Sequence, residues 1–267
     1  MSLALPGFFR TLGFNVLQLG PAAAYSLRSL DPALDPTVVN VRRSNDNSTS
    51  DFTASEVSDG TLTSWVGGGN DGYVTTWHDQ GGTNNATQAA AARQPRIVDA
   101  GSLVTEGGDA ALDFLTEESC LHIAHSDLYG QSTLDSYYVT NPSDSPFLFP
   151  STISSTQNYG MVSQEGSTSA NSKTYGSPTF YANGVTIGGT RGDVYDATFG
   201  GQRLVAHVGA DTSHVDWSNG TMNFGNYVNN STFGYTGKLQ EMIFFNTDQS
   251  TNRVAIENNI NDHFGIY

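Results

Sequence analysis

An all-β jelly-roll sandwich is the fold this sequence predicts, and three observations carry it. Only 14% of the 267 residues are charged, while Gly, Ser, Thr and Asn abound, a usage that suits short strands joined by turns. From Ala22 onward, apolar and polar residues alternate in short runs bounded by turn-forming residues. The 29 glycines supply those turns, and Asn183-Gly184 and Asn219-Gly220 are pairs that close tight hairpins. A chain of this length buries a sizeable core without disulfide or metal staples.

The elements follow in order. Residues 1–20 are richer in large apolar groups than anything downstream, with Leu5, Phe8, Phe9 and Phe14 as the side chains that would anchor this N-terminal apolar arm. The arm either adds a strand to the sandwich or docks the chain in an assembly. VVNVRR (38–43) then alternates, with Val39 and Val41 on one face. In YVTTWHD (73–79), Tyr73, Thr75 and Trp77 point one way, and Val74, Thr76 and His78 the other. ALDFL (111–115), SYYVT (136–140), TFYANGVTI (179–187), RLVAHV (203–208) and KLQEMIFF (238–245) continue the series. A short C-terminal helix is expected over 250–264, where Ile256, Ile260 and Phe264 form an i, i+4, i+8 stripe that lies on a sheet. Asp248 or Ser250 is placed to cap it. No repeat and no Pro- or Ser-rich linker divides the rest, so residues 21–267 read as one domain.

The net charge of −15, from 26 acidic and 11 basic groups, argues against a nucleic-acid partner and against an anionic membrane surface. No apolar run reaches the roughly 18 residues of a membrane span. The opening segment does not read as a signal peptide: it lacks a basic start, is interrupted by Pro6 and Gly7, and carries Arg10 in its middle. Sequons at Asn47, Asn85, Asn219, Asn229 and Asn230 are what chance gives in so Asn-, Ser- and Thr-rich a chain. The single cysteine, Cys120, excludes an internal disulfide and reads as a small core hydrophobe.

Several clusters carry possible chemistry. GYVTTWHDQ (72–80) sets an aromatic, a histidine and a carboxylate side by side. Without a nucleophile nearby, Trp77 reads as core and Asp79 as an acceptor for the amides of the Gly81-Gly82-Thr83 turn. Arg42 and Arg43 face opposite sides of a strand, so one needs a carboxylate, with Asp46, Asp79 or Asp113 as choices. Glycoside hydrolysis needs two facing carboxylates. Glu106, Asp109, Glu117, Glu118, Glu165, Asp193, Asp196, Asp211, Asp216 and Glu241 are available, and their spacing selects no pair, so no catalytic residue is assigned. Glu241 alternates within its strand and could project from a concave sheet. No cofactor is called for. The oxygen-rich loops 44–51 and 67–72 could hold calcium but lack the EF-hand order, and His207 and His214 around Asp211 make no zinc pair. Trp217 and Tyr227, in turn-rich stretches with Trp65 and Tyr235, are the candidate carbohydrate-binding aromatics.

Five blocks come in a telling order: AAAYSLRSLDP (22–32), VVNVRRSNDN (38–47), LTSWVGGGNDGYVTTWHDQGGTNNATQ (62–88), ARQPRIVDAG (92–101) and ALDFL (111–115). Together they resemble the first half of the catalytic domain of fungal-type α-L-arabinofuranosidase B, a block also carried by many phage virion proteins, often tail-fibre or head-decoration chains. GYTGKLQEMIFFNTDQSTNRVAIENNINDHFG (234–265) is similar to the closing strand and helix of LamG-like, concanavalin A-like jelly rolls. The resemblance implies that fold. In the arabinofuranosidase family the catalytic carboxylates lie beyond the matching block, and the family's disulfides have no counterpart in a chain with one cysteine. The expectation is therefore a non-enzymatic structural protein on the surface of a bacteriophage virion, as head decoration or tail fibre. Its partners would be capsid or tail proteins through residues 1–20, copies of itself in a homo-oligomer, and a host glycan. The alternatives are a glycan-binding module and an arabinofuranosidase-like glycoside hydrolase.

Overall fold

The computed structural model describes residues 14–123, 128, 130–144, 147–148, 151–152, 161–170, 176–213, 222–225 and 234–267. It is an all-β molecule built on one large antiparallel sheet, with a short C-terminal helix. The organising strand is Thr236–Phe245. One edge pairs with the long strand Leu134–Asp144, in register Tyr138↔Met242. The other edge takes two short strands in succession, Leu112–Phe114 and Ala23–Ser26. From Leu134–Asp144 the sheet runs on through Arg203–Ala210 to the hairpin Gly176–Ala182/Val185–Ile187. From Leu112–Phe114 it runs through Arg96–Asp99 to Gly72–Trp77, which pairs with Thr37–Arg43 and Ala86–Thr87.

Both faces of the organising strand are buried from Leu239 to Phe245, and its last four residues, Met242–Phe245, are continuously apolar. Met242 and Phe244 point into the main core with Trp77, Tyr138, Leu112 and Tyr25. Ile243 and Phe245 point into a second core with Tyr137, Val139 and Ala206. Each such side chain contributes about 1.5–3 kcal/mol relative to exposure. The hairpin turn is the expected one, with Asn183 and Gly184 at φ 49° and 76°. Asn219-Gly220 lies outside the described residues.

The strand over 72–77 departs from strict alternation. Val74 and Trp77 are both fully buried although three residues apart. The register against Thr37–Arg43 slips between Asn40↔Thr76 and Val41↔Val74, so Thr75 is the extra residue of a bulge that turns Trp77 back to the core.

Four helices occur among the described residues, where the sequence reading expected one: α1 (Ala54–Ser58), α2 (Thr61–Val66), α3 (Arg191–Thr198) and α4 (Arg253–Phe264). α1 and α3 each start with a capping box, Thr53 with Glu56 and Thr190 with Asp193. α4 buries Ile256, Ile260 and Phe264 on the second core as expected. It starts at Arg253 rather than at 250, because Asp248 spends its side chain on the Ser250 amide, at 2.8 Å, in a turn before the helix.

Residues 14–20 lie on the sandwich. Val16 is fully buried in the second core, and Asn259 of α4 donates to the Phe14 carbonyl at 2.9 Å. Asn15 and Gly20, at φ 66°, cap the 3₁₀ turn Val16–Leu19 between them. Phe14 is 37% exposed. Leu5, Phe8 and Phe9 lie outside the described residues. None of the described helices is long and apolar enough to cross a membrane.

Candidate functional site

The Trp77–Gln80 stretch positions residues 24–30, which border a groove against α4. Trp77 is fully buried beside Tyr25, ring centroids 5.6 Å apart. The Asp79 carboxylate accepts from the amides of Ala24 (2.8 Å), Gly81 (2.8 Å) and Asn84 (3.0 Å). Only the Gly81 bond belongs to the turn the sequence suggested; the Ala24 bond reaches back 55 residues. Gln80 accepts from the Leu30 amide at 2.9 Å and donates to the Ser26 and Arg28 carbonyls at 3.1 and 2.8 Å. The two side chains therefore pin residues 24–30 to the sandwich. His78 is half-buried and stands 3.5 Å from the exposed Asp51.

Pinning that segment delivers Arg28 to Glu241. The guanidinium grips the carboxylate at 2.8 and 3.0 Å, Ser26 adds a hydroxyl bond at 2.8 Å, and Asn259 of α4 holds the far side of Arg28 at 3.0 Å. Glu241 is fully buried, contrary to the expectation that it projects from an open sheet, because residues 26–28 close over it. Above Arg28 opens a groove of about 500 Å³, lined by Phe14, Leu30, Asn258, Asn259, Asp262 and His263. A smaller cavity of about 220 Å³ shares Arg28 and His263. Burial, and then the charge of Arg28, hold His263 below the usual histidine range. Side-chain amides, a carboxylate and an exposed aromatic in one groove are the groups that hydrogen-bond a polyol and cover its C–H face.

The other buried acids among the described residues are structural in the same way. Asp135 accepts from the amides of Gly209 (2.6 Å) and Gln249 (2.7 Å), and burial raises its pKa. Glu257 pairs with Arg253, which lies 4.0 Å over the Tyr181 ring. At the surface Asp193 caps α3, Asp211 bonds Ser213, and Glu106 pairs with Lys238. Glu165 is exposed, and Asp216 lies outside the described residues.

Arg43, not Arg42, takes Asp46, through two bonds of 2.9 and 2.7 Å, and lies 4.8 Å over the Trp65 ring. Asp113 pairs instead with Arg96 at 3.3 Å. Trp65 packs edge-on against Phe52, and Tyr235 is buried with its hydroxyl between Thr140 and the Lys238 carbonyl, both at 2.7 Å. Neither is a free sugar platform. Trp217 and Tyr227 lie outside the described residues.

Topology also builds a polar cluster the sequence did not reveal. Gln88 donates to the Cys120 sulfur at 3.0 Å and meets His122 Nε2 at 3.1 Å, while His122 Nδ1 bonds Asn223. The Cys-His-Asn order suggests a thiol nucleophile, but Cys120 is fully buried and burial pushes its pKa up to about 11. The signal was His122 alternating between Leu121 and Ile123; its partners come from 34 and 101 residues away. His207 stacks on Phe180 at 4.8 Å, and burial drives its pKa down to about 3, so the ring is neutral. No group of three metal-binding side chains gathers among the described residues. In the two oxygen-rich loops, Asp46 serves Arg43, and Asp71 serves the Tyr73 hydroxyl and the Ala100 amide.

Three solved structures share this fold. They are a mutant of GH54 α-L-arabinofuranosidase soaked with 4-nitrophenyl α-L-arabinofuranoside, an arabinofuranosidase complexed with arabinofuranosyl-α-1,2-xylobiose, and GH54 α-L-arabinofuranosidase soaked with a cyclic sulfate inhibitor. TM-scores are 0.53, 0.53 and 0.54, with 13% identity in each case. The match covers 89–90% of this chain, which spans 62–63% of the length of those structures. At that identity the likeness is one of fold. No family model and no curated protein matches the chain.

Proposed function

We propose that the chain is a non-enzymatic display module that engages glycans and is carried on the outside of a bacteriophage particle. One observation carries the reading: the buried acids Asp79, Asp135, Glu241 and Glu257 are each engaged by backbone amides or an arginine, on a sandwich with arabinofuranosidase architecture. Acids used in this way hold loops in place. They are not the paired, solvent-reached acid and nucleophile that glycoside hydrolysis requires. The groove beside Arg28 supplies polar and apolar groups of the kind a sugar needs. The charge of −15 and the Asn-, Ser- and Thr-rich surface suit a domain turned toward solvent. In this reading the apolar stretch before Asn15 contacts a neighbouring capsid or tail protein, and copies of the chain associate through it.

The test has two arms. Full-length protein on a panel of neutral and acidic oligosaccharides is expected to retain a subset of them, and antibodies to it are expected to label intact particles. Absence of all glycan retention removes the binding part; unlabelled particles remove the display part. A second reading, an arabinofuranosidase-like hydrolase, is favoured by the three arabinofuranosidase structures that share the fold over nine-tenths of the chain.

A further inference from the structure

Arg42 is prepared for an anion that the described residues do not supply. It stands on the strand Thr37–Arg43, and its Nε donates to Gln94 Oε1 and its Nη1 to Asn47 Oδ1, both at 2.8 Å. Both partners are neutral amides. No carboxylate among the described residues lies within ion-pair distance of Arg42, whereas Arg28, Arg43, Arg93, Arg96 and Arg253 each have one. Arg203 likewise shows no ion pair among the described residues, but its Nη1 donates to the Gln202 carbonyl at 2.9 Å and it lines no part of the cavity beside Arg42. The Arg42 Nη2 has no hydrogen-bond partner among the described residues.

The guanidinium is also held rigid. Gln94 is 5% exposed and is itself anchored by a 2.8 Å bond to the Gln88 carbonyl. The Arg42 carbon lies 5.0 Å over the Tyr73 ring, and Tyr73 is fixed in turn by its hydroxyl bond to Asp71 at 3.0 Å. A fork fixed in this way gives up little freedom on meeting a planar carboxylate.

The space beside it is a cavity of about 350 Å³, within the usual range for small-ligand sites. Ala91, Ala92 and Leu115 form its apolar wall, and the exposed Thr116 contributes a hydroxyl, with the buried Ser119 hydroxyl 3.3 Å behind it. Leu115 is 45% exposed, an apolar surface a ring could cover. One cation whose Nη2 has no partner among the described residues matches one carboxylate oxygen, and the wall matches the body of a pyranose.

We propose that the Arg42 cavity binds the carboxylate-bearing sugar of an acidic polysaccharide, a uronic acid unit, with Arg42 on the carboxylate and Thr116 on a ring hydroxyl. The proposal deepens the glycan-engaging reading and rests on it. It concerns a different part of the molecule from the groove beside α4.

The test is calorimetric titration of the full chain with tri-galacturonic acid, with its methyl ester, and with a neutral arabino-oligosaccharide. The acid is expected to bind about tenfold or more tightly than the ester, the range of one charge-assisted hydrogen-bonded pair. Arg42→Gln is expected to remove that preference and leave ester binding unchanged. Ala92→Trp, at an exposed position on the cavity wall, is expected to block acid and ester alike without touching the core. Equal binding of acid and ester, no acid binding, or undiminished acid binding by both variants overturns the proposal. If the neutral oligosaccharide binds and the acid does not, this site alone fails. If none of these sugars and no member of the oligosaccharide panel binds, the glycan-engaging reading fails with it.

Discussion

Glu241→Gln is expected to unfold roughly 10 °C below the unmodified chain, from a loss of about 3–5 kcal/mol. The carboxylate is fully buried, and its partner Arg28 is only 14% exposed at the side chain. The substitution leaves the Arg28 guanidinium facing an amide nitrogen, and a buried charge without its counter-charge is costly. The damage reaches further than one pair. Arg28 also holds Asn259 of α4, and Asn259 holds the Phe14 carbonyl, so the seam between residues 14–30 and α4 loosens together. Replacing both partners by apolar residues, Arg28→Met with Glu241→Leu, is expected to recover most of the loss, because no charge remains unpaired. Thermal unfolding followed by circular dichroism measures all three. A catalytic Glu241 has the opposite signature, lost turnover at unchanged or raised stability.

Asp79→Ala is the second large effect, expected at about 3 kcal/mol or more, since three amides lose their acceptor at about 1–3 kcal/mol for each that stays buried. The Ala24 bond is fully buried, while those of Gly81 and Asn84 are half-buried and recover part of the loss from water. His78→Ala next door is expected to change stability by about 0.5 kcal/mol or less, because the ring is half-buried and its nearest acid is exposed. Hydrogen exchange at the Ala24 amide localises the effect: it rises sharply in Asp79→Ala and not in His78→Ala. Similar losses in both variants would contradict a structural role confined to the carboxylate.

The strands are legible in the sequence because one-residue alternation and turn residues are local signals, and the α4 stripe is legible for the same reason. The bulge at Thr75 is not, since it depends on the slip of a partner strand more than thirty residues away. Helices α1 and α3 were announced by Thr53-Ala-Ser-Glu56 and Thr190-Arg-Gly-Asp193, short boxes that strand-rich surroundings make easy to pass over. The role of Asp79 as a hub was readable in kind, as an acceptor of turn amides, but not in reach. The Arg28–Glu241 pair spans 213 residues and no pattern joins the two. Arg42 and Arg43 look equivalent in sequence. Their different neighbours, Gln94 and Asn47 against Asp46, separate a poised cation from a neutralised one.

This sandwich shares its fold with the arabinofuranosidase structures, and its buried acids act as struts. The most direct measurement is release of 4-nitrophenol from 4-nitrophenyl α-L-arabinofuranoside by the purified full-length chain. No release above the protein-free blank is expected, with the folded state confirmed by a cooperative melt. Steady turnover that disappears when a single carboxylate is replaced, with the melt unchanged, would contradict the strut role of the acids and establish the hydrolase reading instead.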